Sequence, residues 1–296
     1  MVVTTRIKIF LKRYSPSWVF LIIRFIADKT ILKILPLFFV ASIKNFKERT
    51  IKHVTYRPGK EFDIVIDPRN GYLDQQVYAK KLYEPHIVKE FVDNIQEGDV
   101  CIDIGANIGH HTIIMAHSAG PSGKVYAFEP IPYIREQMLE SLGLNHIHTV
   151  EVRSEALSDE EGEMTLHLNR DSIASSSFLG EGSETIPVSV HKLDSFSFEK
   201  VSFIKIDVEG FEYKVFKGAE KVISTHHPKI LFEYSPIYYR TMRKEDEKDI
   251  LTFLRNHNYV LLDLEDGRKE IHAIDDFIQE FSEGMRSQTN ILALPR

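Results

Sequence analysis

Residues 100–112 read VCIDIGANIGHHT, and this stretch narrows the choice of fold most. A β-favouring apolar run leads into Asp103, followed by Gly105 and Gly109 with Asn107 between them. Gly105 permits a backbone angle closed to other residues, and Gly109 lets a helix approach the sheet or a ligand. Asn107 is among the few non-glycine residue types that enter the left-handed conformation readily. The pattern is therefore strand, tight turn, helix. In an open parallel sheet, ligands bind outside the carboxyl ends of the strands, at such turns.

The remaining chain repeats the alternation. KVYAFE (124–129) reads as a strand followed by a helix from Tyr133 to about Leu142, and the third strand lies within 148–157. FIKID (203–207) is an apolar strand without alternation, followed by one helix from Phe211 to Ser224. KILFEY (229–234), a charged helix near 244–256, YVLLDL (259–264) and NILALP (290–295) complete the order. Continuous apolar strands alternating with helices specify a mostly parallel sheet covered on both faces, an α/β fold. MTLHL (164–168) and IPVSV (186–190) read as two additional strands. They flank a serine- and glycine-rich segment that is either a solvated loop or a lid with hydroxyls suited to a polar substrate.

Charge divides the chain unevenly. Residues 1–52 carry 11 Lys/Arg and 2 Asp/Glu, a balance of +9, against 26 and 41 in the rest, a balance of −15. An acidic body argues against nucleic acid as a partner, because such binding draws most of its affinity from phosphate neutralisation. The basic head, residues 1–58, is expected to be a helical extension with apolar character. Its longest uncharged runs, Tyr14–Ile23 and Ile34–Ile43, are 10 residues each and contain a proline. A membrane-spanning helix needs about 20 apolar residues, so neither run spans. Two arrangements remain: helices packed on the body or on a second copy as a homodimer, or peripheral contact of residues 1–52 with anionic lipid. A cytoplasmic location, peripheral at the membrane in the second case, follows. Cys101, the single cysteine, excludes an intrachain disulfide and a cysteine-based zinc site.

Glu129 ends the second strand of the alternation, 20 residues beyond Gly109. An acid there is placed to accept both ribose hydroxyls of a nucleoside. A dinucleotide site would read G-x-G-x-x-G and open a helix N-terminus to a pyrophosphate. Here Asp103 stands two residues before the first glycine. A carboxylate repels a diphosphate and attracts a ligand with ammonium and sulfonium centres, which selects S-adenosylmethionine over NAD.

DIGANIG, GKVYAFEP, FIKIDVEGFEYKVFKGAEKVI and PKILFEYSP, in that order, resemble the FkbM family of S-adenosylmethionine-dependent methyltransferases. The resemblance runs from about Leu82 to the C-terminus. It implies a class I methyltransferase, Rossmann-like sheet of seven mostly parallel strands with the last antiparallel, within a domain of residues 59–296. It also implies O-methyl transfer to a hydroxyl of a sugar, glycan or related small molecule. By that resemblance Asp103, Gly105, Asn107 and Gly109 form the cofactor turn, Glu129 and Pro130 hold the ribose, and Glu155 and Ala156 flank the adenine. Two other readings compete: a catalytically silent cofactor-binding scaffold, and an NAD-dependent oxidoreductase on a related fold.

Methyl transfer from a sulfonium needs no general acid, but a sugar hydroxyl is a poor nucleophile until its proton is taken. Asp207 and then Glu209, in the turn IDVEG, are the expected bases. His111, beside His110, is the alternative, with core packing as the plainer reading of both histidines. Glu212, Glu233 and a stacking platform of Tyr238, Tyr239 and Arg240 are further candidates. No dense carboxylate cluster suggests a metal.

Overall fold

The computed structural model describes residues 49–80, 82–168, 184–236, 247–282 and 286–296. The basic head up to residue 48, the serine-rich segment at 169–183 and Tyr238, Tyr239 and Arg240 lie outside them, as do the expectations attached to each.

The chain enters on a hairpin of β1 (Thr50–Arg57) and β2 (Lys60–Ile66), paired antiparallel. Residues 50–57, expected to belong to a helical head, are therefore a strand, and the boundary expected at residue 58 falls in the hairpin's turn. The helices α1 (Tyr72–Lys80) and α2 (Pro85–Asn94) follow. The alternation then begins: β3 (Val100–Ile104), α3 (His110–Ala119), β4 (Lys124–Phe128), α4 (Pro132–Leu144) and β5 (Val150–Arg153). Next come β6 (Ala156–Leu157), β7 (Gly162–Leu168), β8 (Glu184–His191), β9 (Phe203–Ile206), α5 (Glu212–Gly218), α6 (Glu220–His226) and β10 (Lys229–Tyr234). The final elements are α7 (Asp249–Asn256), β11 (Tyr259–Asp263), β12 (Lys269–Glu270), α8 (Ile274–Ser282) and β13 (Thr289–Pro295).

The main sheet has the order β12-β11-β13-β10-β9-β3-β4-β5. β5, β4, β3, β9 and β10 are mutually parallel, and β13 runs antiparallel to both β10 and β11. This is the expected seven-stranded sheet, with the two-residue β12 added at one edge. Its core strands alternate between two hydrophobic cores. Cys101, Phe203, Leu231 and Leu292 face the core shared with the hairpin, α2, α3 and α4. Ile102, Ile204, Phe232 and Ile291 face the core shared with α5, α6, α7 and α8. That double burial is why these strands read as apolar runs without alternation.

Polar side chains of α4 and of its C-cap residue Asn145 fasten the hairpin. Ser141 Oγ accepts from Val65 N–H at 3.0 Å, Asn145 Oδ1 accepts from Asp63 N–H at 2.8 Å, and Gln137 Nε2 donates to the Val65 carbonyl at 2.9 Å. They satisfy backbone groups of β2, which has no strand neighbour on that side among the described residues.

The single helix expected over 211–224 is broken into α5 and α6 at Ala219, directly after Gly218. A Cβ on Gly218 would lie 1.9 Å from the carbonyl oxygen of Ser158, so glycine permits the helix to seat against the segment after β6. The third strand also divides. β5 stays in the main sheet, while β6 joins β8 and β7 in a separate three-stranded sheet ordered β6-β8-β7. The two additional strands expected at 164–168 and 186–190 are β7 and β8, an antiparallel pair.

Candidate active site

The strand order reverses between β9 and β3, because the chain builds outward from β3 through β4 to β5 and then returns to β3's other side. A crevice at such a switch point is where open α/β sheets hold ligands. Gly105 lies at that switch point, between the ends of β3 and β9. Its φ is +78°, and a Cβ there would stand 1.9 Å from the Asp207 carbonyl oxygen, so only glycine lets the ends of β3 and β9 come this close. The Gly105 and Ala106 amides both donate to the Phe128 carbonyl, at 3.1 and 3.0 Å, tying the turn to the end of β4. Asn107 has φ +51°, the left-handed conformation expected of it. Gly109 precedes α3 with φ +84°, and a Cβ on it would meet Met138 Cγ at 2.7 Å. The helix therefore starts at His110, after the glycine, rather than at Asn107.

Glu129 reaches the same turn from β4. Its Oε2 accepts from Asn107 N–H at 3.0 Å and its Oε1 from Ile131 N–H at 2.8 Å. Burial pushes its proton affinity up to about 7, against the pull of those two amides. An ionised carboxylate offers about four lone-pair sites, so two acceptor positions remain for ligand hydroxyls. Arg135 Nη1 donates to the carbonyls of Glu129 and Pro130, at 2.8 and 3.1 Å, and fixes that bend. Glu155 and Ala156 sit where the chain leaves the main sheet for β6. Ala156 is buried, and Glu155 is partly exposed with its carboxylate 3.9 Å from Arg153. The Arg153 guanidinium lies over the Phe196 ring at 5.2 Å.

Asp103 occupies the end of β3 as expected, but protein encloses its carboxylate. It has no solvent exposure. Its Oδ2 accepts from Thr112 Oγ1 at 2.6 Å, and its Oδ1 stands 3.2 Å from Lys205 Nζ. Lys205, also buried, donates to the Gly105 carbonyl at 3.0 Å and lies 3.8 Å from Asp207 Oδ2. Burial works against the charge on Lys205, yet the neighbouring Asp103 and Asp207 outweigh it and hold the ammonium above the ordinary lysine range. No sequence motif assigns this lysine a role. Its signal was a lone cation inside an otherwise apolar strand, which in a buried position demands a paired charge.

Asp207 is the exposed carboxylate of the group, its side chain 39% accessible. Glu209, two residues on, has φ +51°. Glu212 turns inward, where its Oε1 accepts from the amides of Val208 and Gly210, both at 3.1 Å, and so shapes the loop. Glu233 is buried at the end of β10, where it accepts from Gln288 Nε2 at 2.7 Å.

His110 and His111 open α3 within an aromatic group. The His111 ring stacks on Tyr83 at 5.7 Å and meets Phe91 edge-on at 5.2 Å, while His110 packs against Phe62 at 5.6 Å. Burial drives the proton affinity of His110 down to about 3 and that of His111 well below the usual imidazole value. Both are neutral at physiological pH. One further residue, Glu84, reaches this group. Its Oε2 is 3.9 Å from His111 Nε2. Burial and the nearby charge of Asp207 raise its proton affinity to about 7. No local pattern announced Glu84, whose role depends on tertiary placement alone. Among the described residues, no three His, Cys, Asp or Glu side chains are grouped to hold a metal ion.

A family model described as the methyltransferase FkbM domain matches residues 103–261. Among curated proteins, a protein-L-isoaspartate O-methyltransferase of Ignicoccus hospitalis is 35% identical over 68 residues, covering 21% of this chain and 32% of that protein. The hexuronic acid methyltransferase AglP of Haloferax volcanii is 28% identical over 145 residues, 48% of this chain and 59% of its own. The 31-O-demethyl-FK506 methyltransferase FkbM of Streptomyces tacrolimicus is 27% identical over 184 residues, 50% and 68% respectively. The chain thus spans about a third to two thirds of the length of these relatives.

Proposed function

Because the chain belongs to the methyltransferase FkbM domain family, matched over residues 103–261, we propose that it is an S-adenosylmethionine-dependent O-methyltransferase. Its acceptor is a hydroxyl of a sugar, glycan or related small molecule. One observation carries the cofactor reading: Glu129 grips the Asn107 amide of the glycine turn and still has two acceptor positions unused. A nucleoside's ribose is the ligand such an acid fits. The absence of any G-x-G-x-x-G run favours this nucleoside over a dinucleotide. Relatives named for a hexuronic acid and for an O-demethyl compound support the acceptor class.

The turn Gly105–Gly109 and Glu129 would hold the cofactor, with Glu155 and Ala156 beside its base. When bound, it supplies an electrophilic methyl on a sulfonium, a leaving group that needs no protonation. The chain's own task is then to align the acceptor and take its proton. Asp207 suits that task because it is accessible, sits at the switch point and has Lys205 3.8 Å away to orient it. Glu209 is the second choice. His111 is enclosed by aromatic rings and accepts protons weakly, which leaves it a packing role and makes it the less suitable base.

The test is incubation of the full chain with methyl-labelled S-adenosylmethionine and fractionated glycans, glycolipids, sugar nucleotides and protein. Label retained in a carbohydrate or small-molecule fraction after mild alkali is expected, because a methyl ether survives it. Alkali-labile label in protein would overturn the hydroxyl acceptor. Cofactor binding with no transfer to any fraction would favour a silent scaffold.

A further inference from the structure

The enclosure of Asp103 leaves the cationic end of the ligand without its expected partner. Resting on the cofactor reading above, we propose that Glu84 is the carboxylate that receives the ammonium of the cofactor's methionine end. Asp103 and Asp207 flank Lys205 at the switch point, and Glu84, 3.9 Å from His111, is near enough for the charges of Asp207 and Lys205 to act on it. Lys205 is committed to Asp103 and to the Gly105 carbonyl, with Asp207 next nearest. An arrangement with this surplus of negative charge suits a positively charged ligand group.

Of these three carboxylates, Glu84 is the least served by the protein. Among the described residues its carboxylate accepts no hydrogen bond, and its ion-pair neighbour is the His111 imidazole at 3.9 Å, which burial keeps neutral. The groups that act on it are Asp207 and Glu265, which disfavour its charge, and His86 and Lys205, which favour it. His86 is drawn away by its own hydrogen bond to Glu265 at 2.9 Å. A carboxylate raised to about 7 under these conditions gains from a bound cation, which restores its ionised form.

The backbone agrees. Glu84 has φ +43° and ψ +64°, a left-handed conformation rare outside glycine and asparagine, immediately before Pro85. It occupies the N-cap position of α2, yet its side chain makes no capping bond. An acid at an N-cap ordinarily accepts from the helix's first amides. Here the side chain instead stands beside His111 in the first turn of α3, the helix that follows the Gly105–Gly109 turn.

The experiment compares two ligands of the full chain by calorimetry. S-adenosylhomocysteine carries the amino-acid end, and 5′-methylthioadenosine has the same nucleoside thioether without it. Glu84→Gln, close to isosteric, is expected to weaken S-adenosylhomocysteine roughly 10- to 100-fold, the effect of one lost charge-assisted hydrogen bond. The affinity for 5′-methylthioadenosine should stay within about twofold. Glu84→Asp, which keeps the charge, should recover part of the loss for the first ligand alone. Equal losses for both ligands, or unchanged S-adenosylhomocysteine affinity in Glu84→Gln, would overturn the proposal. A wild-type chain that binds neither ligand would overturn the cofactor reading itself, a distinguishable failure.

Discussion

Lys205→Met offers the sharpest test of how the switch point is held together. Methionine approximates the lysine stem in volume, so the change removes the ammonium and leaves packing nearly intact. Asp103 then keeps the Thr112 hydroxyl at 2.6 Å as a partner and loses the cation that stood 3.2 Å away. Breaking a buried pair by removing one member costs about 3–5 kcal/mol, since a charge is left in the interior without compensation. The Gly105 carbonyl also loses its 3.0 Å donor. Urea unfolding followed by two probes should show a lowered midpoint with an unchanged denaturant slope. Asp103→Asn in the same chain supplies the control, because the amide oxygen still accepts from Thr112 and no charge remains to strand. The double variant should therefore be more stable than the sum of the single losses predicts, by about 1–3 kcal/mol. If Lys205→Met stays within about 1 kcal/mol of wild type, or the two changes add to within about 0.5 kcal/mol, the pair does not hold the turn.

Other consequences can be checked on the same protein. Gly105→Ala must shift the Asp207 carbonyl and adopt φ +78°, so it should cost about 2–5 kcal/mol and weaken S-adenosylhomocysteine binding. Asp207→Asn should lower turnover by about 10²-fold while leaving S-adenosylhomocysteine affinity little changed. Turnover that survives there and in Glu209→Gln but collapses in His111→Gln would assign the proton to the histidine. Asp74, whose Oδ1 accepts from Asp67 N–H and Gln137 Nε2, is pushed from 3.8 to about 7 chiefly by burial. A carboxyl raised on folding stabilises fully below pH 3.8 and loses that contribution as pH climbs to about 7, on the order of 4 kcal/mol at full extent. Asp74→Asn retains both hydrogen bonds through its oxygen and should flatten that decline in urea midpoints measured from pH 4 to pH 8.

The parallel sheet was legible because each core strand is buried on both faces and each turn carries its own chemistry. Gly105, Asn107 and Gly109 have the backbone angles their residue types suggested, and the family motifs fix their order. Two further elements carry local signals. Pro58-Gly59 between β1 and β2 is a hairpin turn signal, and Ile274, Phe277, Ile278 and Phe281 repeat at helical spacing along α8. The site divided differently. Residue types located Asp103 and Glu129 at their strand ends, but pairing is a tertiary fact. That Asp103 faces Lys205 follows from β3 and β9 lying side by side across 100 residues of sequence, and that Glu84 stands beside His111 follows from α2 packing on α3. Charge pattern alone placed an acid near a cation without revealing that the protein supplies the cation.

The most direct measurement is calorimetric titration of the wild-type chain with S-adenosylhomocysteine, in the presence and absence of excess NAD, repeated on Glu129→Ala. Binding that NAD leaves unchanged, weakened by about 1.5–3 kcal/mol when the ribose acid is removed, is the expected result. Displacement by NAD, or full affinity retained in Glu129→Ala, would contradict a methyl-donor site built on the turn after β3.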